Sequence, residues 1–455
     1  MKSVIFLFFM VIFYYFCRKY IVMERSIYQS LLQWKSKPNR KPLILLGARQ
    51  VGKTYILKQF GNNEFQNLVY LNCHEDPFVK NLFSDLIAER IVRDIEIRNQ
   101  TEIVAGKTLL FIDEIQEASN GLSSLKYFCE NMPELHVVVA GSLLGISLRE
   151  GESFPVGKVE MMKMFPMSFL EFLNAAGRPK LAEIIKGKDW AAMTTFHDML
   201  TDYLRQYYFT GGMPESIATY LETNDVNETR EVQRIILEAY QKDFSKHTKP
   251  QIQRIHQVWE SIPAQLSREN KKFVFSAIRK GARAADFEIA LQWLADAGLI
   301  YMVERVKVPQ QPLKFYLDAS AFKVYWFDCG LLACMMNAMP KDILLGSQAF
   351  TGFKGAFTEN FVLQQLKASC FDETIAYFSK DNSSMEVDFV LEHGGEVVPI
   401  EVKAEENVKS KSLHQFITVD YADKNYKGIR FSMLPFISQD WMENRPLYAV
   451  STIVD

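Results

Sequence analysis

Long apolar runs separated by polar, helix-like stretches dominate the first third of the chain. They read LILL at 43–46, NLVYLNC at 67–73, TLLFI at 108–112 and HVVVAGS at 136–142. A strand that is apolar at every position has both faces covered, so these runs are typical of a parallel sheet with helices on each side. The alternation of strand and helix therefore predicts an α/β fold for this region.

The loop after the first apolar run has the composition of a phosphate cradle. It reads GARQVGKT and leads into helical residues up to Phe60. Backbone N–H groups of such a loop, together with the helix dipole, point at one place where an anion binds. Lys53 is predicted to reach the β- and γ-phosphates of ATP, and Thr54 to ligate Mg²⁺. The predicted nucleotide-binding residues are Gly47, Ala48, Arg49, Gln50, Val51, Gly52, Lys53, Thr54 and Tyr55.

Two further strand ends complete this predicted site. The run at 108–112 ends in Asp113 and Glu114, and ligands of parallel sheets bind where the strands end. Asp113 is predicted to hold the Mg²⁺ shell, and Glu114 to orient or deprotonate the attacking water. Ser142, which ends the run at 136–142, is a candidate γ-phosphate sensor, although a Ser after Gly is as often a plain turn residue.

Beyond residue 165 the apolar positions recur every three or four residues, as in FLEFLNAAG and MLTDYLRQYYF. This spacing predicts a helical lid. Gly211 and Gly212 followed by Pro214 predict the end of one helix and the start of the next. That structural role and a nucleotide-sensing role are both open for the GGMPES stretch that contains them.

The segment 273–318 predicts a winged helix, with a helix over 285–297, a stop at Gly298 and two strands across a Pro-containing turn. Basic residues cluster before and at this helix, as contacts to DNA phosphates would. Acidic residues on the helix would repel phosphate, so DNA contact and a structural or protein-binding role both stay open. The basic residues are Arg268, Lys271, Lys272, Arg279, Lys280 and Arg283, and the acidic ones are Asp286, Glu288 and Asp296.

A hairpin is predicted in EVDFVLEHGGEVVPIEVKA, at 386–404. A two-residue Gly-Gly turn sets Asp388 opposite Glu401 and Glu386 opposite Lys403, all on one face. Opposed like charges are unfavourable, which favours a divalent cation between Asp388 and Glu401, with Lys403 stabilising charge in phosphodiester hydrolysis. The alternative is a Glu386–Lys403 ion pair with the other acids in solvent. The residues predicted on the opposite, core face are Val387, Phe389, Leu391, Val398, Ile400 and Val402.

These motifs together resemble prokaryotic AAA-type ATPases with a C-terminal domain related to PD-(D/E)xK nucleases. The matching stretches are RKPLILLGARQVGKT, TLLFIDEIQEA, VVVAGSLLG, FPVGKVEMMKMFPMSFLEFL and YFTGGMPESI. The resemblance implies that Asp388, Glu401 and Lys403 form the nuclease core, and that Glu359, on a helix over 358–366, is the upstream acid of the same metal site. It also implies an alternative, because many such domains keep the fold without cleaving.

One departure from this family concerns a residue that would reach the nucleotide of a neighbouring subunit. The family usually has Gly-Arg where this chain has Gly157 and Lys158. Lysine neutralises phosphate charge but lacks the bidentate fork of arginine. Assembly into a homo-oligomer, or binding of a protein partner, is therefore left open by the sequence.

Composition and charge exclude only a few classes of protein. A chain of 455 residues with 48% hydrophobic and 23% charged residues is an ordinary globular protein of several domains. Its formal net charge of -2 excludes a globally basic nucleic-acid binder, so any DNA contact must come from a local patch. The six cysteines form no CxxC pair, which argues against a zinc site or a disulfide framework.

The N-terminal stretch VIFLFFMVIFYYFC, at 4–17, lies between basic residues like the core of a signal peptide. No small-residue cleavage site follows it, and the run is short of the ~20 residues that span a bilayer. A misassigned start before Met23 is the preferred interpretation. A marginal membrane anchor and a buried or interfacial helix are the alternatives. Because an ATPase needs cytosolic ATP, we expect a cytoplasmic protein without a membrane partner.

The sequence thus predicts an α/β protein made of a P-loop parallel-sheet domain, a helical lid, a winged helix and a restriction-nuclease-like α/β domain. It is predicted to use ATP and Mg²⁺ and to couple ATP hydrolysis to a DNA-directed nuclease-like module. The alternative is a non-cleaving, ATP-controlled regulator that binds DNA or protein. The predicted units are a leader at 1–22, the ATPase domain at 23–165, the lid at 166–265, the winged helix at 266–320 and the nuclease-like domain at 321–455.

Overall fold

The computed structural model describes residues 23–142, 154–244, 249–268, 272–346, 351–370, 372–381, 383–404 and 409–454. The predicted leader at 1–22 and Lys271 of the basic cluster lie outside these ranges. Among the helices in these ranges, none has both the length and the apolar character that crossing a bilayer requires.

Helices make up much of this part of the chain. They are α1 (Ile27–Ser36), α2 (Lys53–Glu64), α3 (Pro77–Asn81), α4 (Ala88–Asn99), α5 (Gly121–Asn131), α6 (Phe169–Ala175), α7 (Pro179–Lys186), α8 (Trp190–Thr195), α9 (His197–Thr210), α10 (Pro214–Thr223), α11 (Val226–Asp243), α12 (Lys249–Leu266), α13 (Ala284–Asp296), α14 (Cys329–Met335), α15 (Pro340–Leu345), α16 (Thr351–Ser369) and α17 (Lys411–Gln415).

The first sheet is parallel, with five strands in the order β2-β3-β4-β1-β5. Its strands are β1 (Leu43–Gly47), β2 (Asn67–Asn72), β3 (Thr108–Asp113), β4 (His136–Ser142) and β5 (Glu160–Lys163). Strands β1 and β3 are buried at every position, as their continuous apolar runs predicted. The α/β class is therefore confirmed. The apolar runs did not predict β5, whose short EMMK sequence alternates in burial at the edge of the sheet.

The helices after residue 165 follow local signals in the sequence. Helix α6 begins with a capping box, in which Ser168 and Glu171 satisfy each other's backbone N–H groups. Helix α9 ends at Thr210 and α10 begins at Pro214, as the Gly-Gly and Pro signals predicted. The chain reverses between them through Gly211, whose φ of 69° is in the left-handed region that glycine favours.

The second sheet has eight strands in the order β12-β13-β11-β10-β9-β8-β6-β7. Strands β6 and β7 are the predicted antiparallel pair after α13, and β6 also pairs with β8. Strand β7 runs through residues 320 and 321, where a domain boundary is predicted, and it belongs to this one sheet. Sequence periodicity shows where a strand lies but not which neighbour takes its free edge. The strands are β6 (Ile300–Val306), β7 (Leu317–Trp326), β8 (Thr374–Ser379), β9 (Glu386–His393), β10 (Glu396–Val402), β11 (Gly428–Ser432), β12 (Ile437–Ser438) and β13 (Met442–Pro446).

The hairpin register predicted for β9 and β10 is confirmed up to the pair Phe389–Ile400, since His393 lies opposite Glu396 across a two-residue turn. One prediction about its faces is wrong. Val387 packs with Val390 in a smaller core cluster, while Phe389 belongs to the main one. The register with β8 shifts in this stretch, where two residues of β9, Asp388 and Phe389, lie opposite one residue of β8. Such a bulge turns side chains to the other face.

A buried carboxylate at the start of α14 joins the lid to the C-terminal half of the chain. Asp328 is fully buried and accepts hydrogen bonds from the backbone N–H groups of Gly212, at 2.6 Å, and Leu331, at 2.9 Å. It also accepts one from the side chain of Gln364 on α16, at 3.2 Å. A Cβ on Gly211 would lie 2.2 Å from the Asp328 carboxylate, so only glycine allows this approach. Burial raises the pKa of Asp328 to about 6, against the opposing effect of these hydrogen bonds.

Replacing Asp328 with Ala is expected to destabilise the protein by about 2–5 kcal/mol, because a helix cap is lost and the buried N–H of Gly212 is left unpaired. The folded-state pKa is raised, so the stability that the carboxyl contributes is largest below the unfolded-state pKa and falls as pH rises through about 6. Urea unfolding of both proteins should show a stability difference that is larger at pH 5 than at pH 7. A difference that grows with pH would contradict this assignment.

Candidate functional site

The P-loop connects β1 to α2 and has the backbone geometry of an anion cradle. Gln50 and Gly52 have φ values of 61° and 97°, which turn successive N–H groups inward. A Cβ on Gly47 would lie 2.3 Å from the backbone oxygen of Met164, so glycine is required there by close packing. Ser142 ends β4 directly beside Gly47 in the sheet, as expected for a residue near the phosphate site.

Lys53 is buried beneath this loop. Its ammonium donates hydrogen bonds to the backbone oxygens of Gly47, at 2.9 Å, and Ala48, at 2.8 Å. Burial lowers the pKa of Lys53 to about 8, against the attraction of Glu114 and Asp113. A buried cation whose hydrogen-bond partners are neutral carbonyls fits a site for phosphate charge.

The predicted Mg²⁺ ligands are neighbours. The Thr54 hydroxyl donates to the Asp113 carboxylate at 2.7 Å, and the Tyr70 hydroxyl donates to the same oxygen at 3.2 Å. Burial, followed by the repulsion of Glu114, raises the pKa of Asp113 against these hydrogen bonds. A hydroxyl and a carboxylate held side by side are the hard oxygen ligands that Mg²⁺ uses, so the residues fit this ion.

Glu114 follows β3 in a left-handed conformation, with φ 51°. This turn carries it out of the strand, and its carboxylate accepts a hydrogen bond from the side chain of Gln116. The geometry is suitable for a residue that orients water beside the phosphates. Tyr55, the last predicted nucleotide contact, is exposed at the start of α2.

Two residues that hold the P-loop were not predicted from sequence. Arg25 donates to the backbone oxygens of Val51, at 2.7 Å, and Phe165, at 2.6 Å, and lies 3.2 Å from the Glu171 carboxylate. Tyr240 on α11 donates to the backbone oxygen of Arg49 at 2.5 Å. These contacts join residues 26 and 191 positions apart, so no local motif could have shown them.

Lys158, which stands where the resembled family has arginine, is paired within its own chain. Its ammonium lies 2.8 Å from the Glu130 carboxylate, at a partly exposed position. The hydrogen bond to Glu130 is the largest cause of the raised pKa of Lys158, and the electrostatic attraction of the same carboxylate is the next.

The predicted nuclease residues also come together. Glu359 lies on α16, Asp388 on β9, Glu401 on β10 and Lys403 just after it. The Lys403 ammonium lies 2.7 Å from Glu401. Burial alone would lower the pKa of Lys403, but the attraction of Glu401, Asp388 and Glu359 outweighs it and the pKa is raised.

Two details of this group differ from the predicted hairpin. The Asp388 carboxylate accepts a hydrogen bond from the backbone N–H of Val402, at 2.8 Å. Glu386, expected to face Lys403, instead forms an ion pair with Lys323 of β7, a residue that was not predicted. The physical reason for both differences is the β9 bulge, together with a third strand, β7, that the sequence did not predict beside this hairpin. We call Glu359, Glu386, Asp388 and Glu401, with Lys323 and Lys403, the C-terminal acidic cluster.

Metal-binding capacity in this cluster has one favourable and one unfavourable feature. Oε2 of Glu401 is buried and has no hydrogen-bond partner among the described residues. A hard oxygen of this kind fits a divalent cation. Among the residues that the structure describes, however, no three His, Cys, Asp or Glu side chains are grouped so that they could hold a metal ion.

Five of the basic residues predicted for DNA contact lie in the described part of the chain, and all five are exposed. They are Arg268, Lys272, Arg279, Lys280 and Arg283. Lys272 forms a β-bridge with Lys323, so this surface begins beside the strand that contributes to the C-terminal acidic cluster.

The fold and the first site define a P-loop nucleotide-binding protein. Residues 39–173 match the family described as AAA domain, and this part of the chain is an AAA-type P-loop ATPase domain that binds ATP. Residues 201–342 and 354–434 match two domains of unknown function, DUF8612 and DUF4143.

Three known proteins are similar to parts of this chain at low sequence identity. An uncharacterized protein of Methanocaldococcus jannaschii is 23% identical over 384 residues, which cover 82% of this chain and 76% of that protein. The Orc1 protein of Aeropyrum pernix, solved in complex with DNA, is 11% identical with a TM-score of 0.30, covering 71% of this chain and 95% of that one. Cdc6p from Pyrobaculum aerophilum is 12% identical with a TM-score of 0.27, covering 73% and 97%.

Proposed function

We propose that this chain is a Mg²⁺-dependent ATPase that couples ATP hydrolysis to a nuclease-like module acting on DNA. The observation that carries the proposal is the meeting of Glu359, Asp388 and Glu401 around Lys403, from separate segments of the chain. The sequence predicts these residues for phosphodiester hydrolysis. Keeping three acids together, two of them buried, costs free energy unless positive charge balances them, as a bound metal ion would.

In the ATPase site each residue has a distinct task. Lys53 would exchange the loop carbonyls for phosphate oxygens. Thr54 and Asp113 would hold Mg²⁺, which would neutralise charge on the phosphates. Glu114 orients the attacking water and accepts its proton.

In the C-terminal acidic cluster, Glu401 and Asp388 would hold a divalent cation through carboxylate oxygens, with Glu359 as the third acid. The cation would lower the pKa of water and stabilise the scissile phosphate. Lys403 would stabilise the charge that develops on the phosphate oxygens, because its ammonium already lies beside Glu401.

The neighbouring basic surface supports DNA as the substrate. Lys272 pairs with Lys323 of β7 in an isolated antiparallel bridge, so their backbones are about 5 Å apart. Phosphates bound along the exposed basic residues would therefore lead toward the cluster.

A path of contacts between residues of the lid and its neighbours supports coupling between the two sites. Pro214 of α10 lies beside Gly52 of the P-loop, 3.6 Å from where its Cβ would be. Gly212, two residues earlier, is bound to Asp328, which also binds Gln364 on the helix that carries Glu359. A change at the P-loop would thus reach the acidic cluster through one lid segment and one helix.

The test is a cleavage assay of the full chain with single- and double-stranded DNA, Mg²⁺ or Mn²⁺, and ATP present or absent. We expect metal-dependent cleavage whose rate changes when ATP is added. In the Glu114→Gln protein, the cleavage rate should still change when ATP binds, but repeated rounds of ATP hydrolysis should not occur. ATP hydrolysis without cleavage of any DNA would reject the nuclease part of the proposal.

A second candidate function is a non-cleaving regulator, in which ATP controls binding of DNA or protein. The specific observation in its favour is that Lys403 and the Val402 N–H already bind oxygens of Glu401 and Asp388. The same assay separates the two, because a regulator would bind DNA with ATP-dependent affinity and leave it intact.

A further inference from the structure

Lys323 is a buried lysine that neither the hairpin pattern nor the resemblance predicts. It lies on β7, and its side chain is fully buried. Its ammonium donates to the Glu386 carboxylate and lies 4.8 Å from the centre of the Tyr377 ring. A charged group so deeply buried is costly unless paired, and a structural role alone is served as well by an apolar side chain.

The charges around Lys323 come mainly from the C-terminal acidic cluster. Burial lowers its pKa, but the attraction of Glu359, Glu386 and Asp388 outweighs this, and the pKa is raised. Lys323 therefore pairs directly with Glu386 of β9 and lies within the electrostatic reach of Asp388 on the same strand and of Glu359 on α16.

Tyr325 contributes from the same strand. Residues two apart in a strand share a face, so Tyr325 and Lys323 both point toward the cluster. The Tyr325 hydroxyl donates to the Glu359 carboxylate at 3.3 Å, and its ring lies 5.6 Å from that of Phe389. Strand β7 thus contacts the cluster at two of its acids.

A further charge next to the cluster is that of Arg430, which lies opposite Glu401 on β11. Burial lowers the pKa of Arg430, and Glu401 opposes that effect. Four acids therefore face Lys323, Lys403 and Arg430, which leaves one net negative charge. That balance accommodates a single divalent cation, and adding it would give a net positive site for a phosphodiester anion.

We propose that Lys323 is a positioning residue of the C-terminal site. Its ammonium supplies positive charge that a second metal ion would otherwise bring, and so limits the cluster to one divalent cation. The inference rests on the proposed function, since it assumes that the cluster binds metal. It assigns to residues 201–342 a direct part in the site that residues 354–434 otherwise form. Lys323 acts through Glu386 and Asp388 and does not need to touch the substrate.

Calorimetric titration of the full, nucleotide-free chain with Mn²⁺ tests this proposal. The cluster's binding event is the one that Asp388→Ala removes. Removing a positive charge close to a divalent cation should tighten its binding by about tenfold or more in Lys323→Met. Lys323→Arg keeps the charge and should stay within about twofold of wild type. Equal Mn²⁺ affinity in the wild-type and Lys323→Met proteins would overturn the inference.

A second variant decides the matter if Lys323→Met does not fold. Glu386→Gln removes one carboxylate at a partly exposed position and frees Lys323 to move toward Asp388. Mn²⁺ affinity should then fall by about tenfold, and an unchanged affinity would overturn the inference. Because the readout is metal binding, altered affinity without DNA cleavage supports this inference while rejecting the proposed nuclease. Absence of any Mn²⁺ binding that depends on Asp388 rejects both.

Discussion

Replacing Glu114 with Gln is expected to lower ATP turnover by roughly 10²–10⁴-fold while ATP stays bound, because only proton acceptance from water is lost. Glutamine has nearly the same shape and can keep its hydrogen bond to Gln116. Steady-state phosphate release and equilibrium binding of a fluorescent ATP analogue measure the two effects separately. Glu102→Gln, at an exposed site, is the matched control and should behave as wild type.

The same pair of measurements separates this role from that of Lys53. In Lys53→Ala, the cation buried beneath the P-loop is gone, so nucleotide affinity itself should fall by roughly 30-fold or more. Glu114→Gln should therefore affect turnover, and Lys53→Ala both binding and turnover. Undiminished turnover in the two variants would remove the P-loop as the site of hydrolysis.

Replacing Asp388 with Ala is expected to abolish metal-dependent DNA cleavage and to leave ATP hydrolysis intact. The carboxylate supplies a predicted metal ligand and also binds the Val402 N–H, which fixes β9 against β10 at the cluster. Lys403→Ala should have the same effect on cleavage, since it removes the cation that stabilises the phosphate charge. Cleavage of labelled DNA and phosphate release, measured in one reaction, give both activities.

The hairpin offers its own control for these variants. Glu396 is exposed beside the turn of the same hairpin, so Glu396→Ala should cleave DNA like wild type. Cleavage by Asp388→Ala at the wild-type rate would exclude the cluster as the active site. Loss of ATP hydrolysis in Asp388→Ala would indicate damage that reaches the ATPase domain through α16.

The structural role and the nucleotide-sensing role that the sequence leaves open for GGMPES are compatible in the folded protein. Gly211 and Gly212 end one helix and fit against Asp328, which is the structural role. Pro214 lies beside Gly52 of the P-loop, which brings the same stretch to the nucleotide site. A short sequence between two helices thus contacts both halves of the chain, and the sequence could show only its turn.

The sequence by itself determined the features that depend on neighbouring residues. Continuous apolar runs specified four of the five strands of the parallel sheet, and the Gly and Lys spacing specified the P-loop, because backbone conformation and phosphate binding are local there. The Gly-Gly turn also specified the β9–β10 register, since a two-residue turn leaves one pairing. This register predicted that Asp388 lies opposite Glu401, two residues that the resemblance to PD-(D/E)xK nucleases also implies for the site.

Only the tertiary structure decided which distant residues complete each site. Lys323 reaches Glu386 because β6 pairs with β8 and brings β7 into the C-terminal sheet, and no periodicity encodes that choice of edge. The β9 bulge, which moves Val387 to the other face, depends on the partner strand β8. Asp328 and Arg25 join segments more than a hundred residues apart, where burial makes each polar contact obligatory. Local sequence fixes the chemistry that a residue offers, and long-range packing fixes which partner it meets.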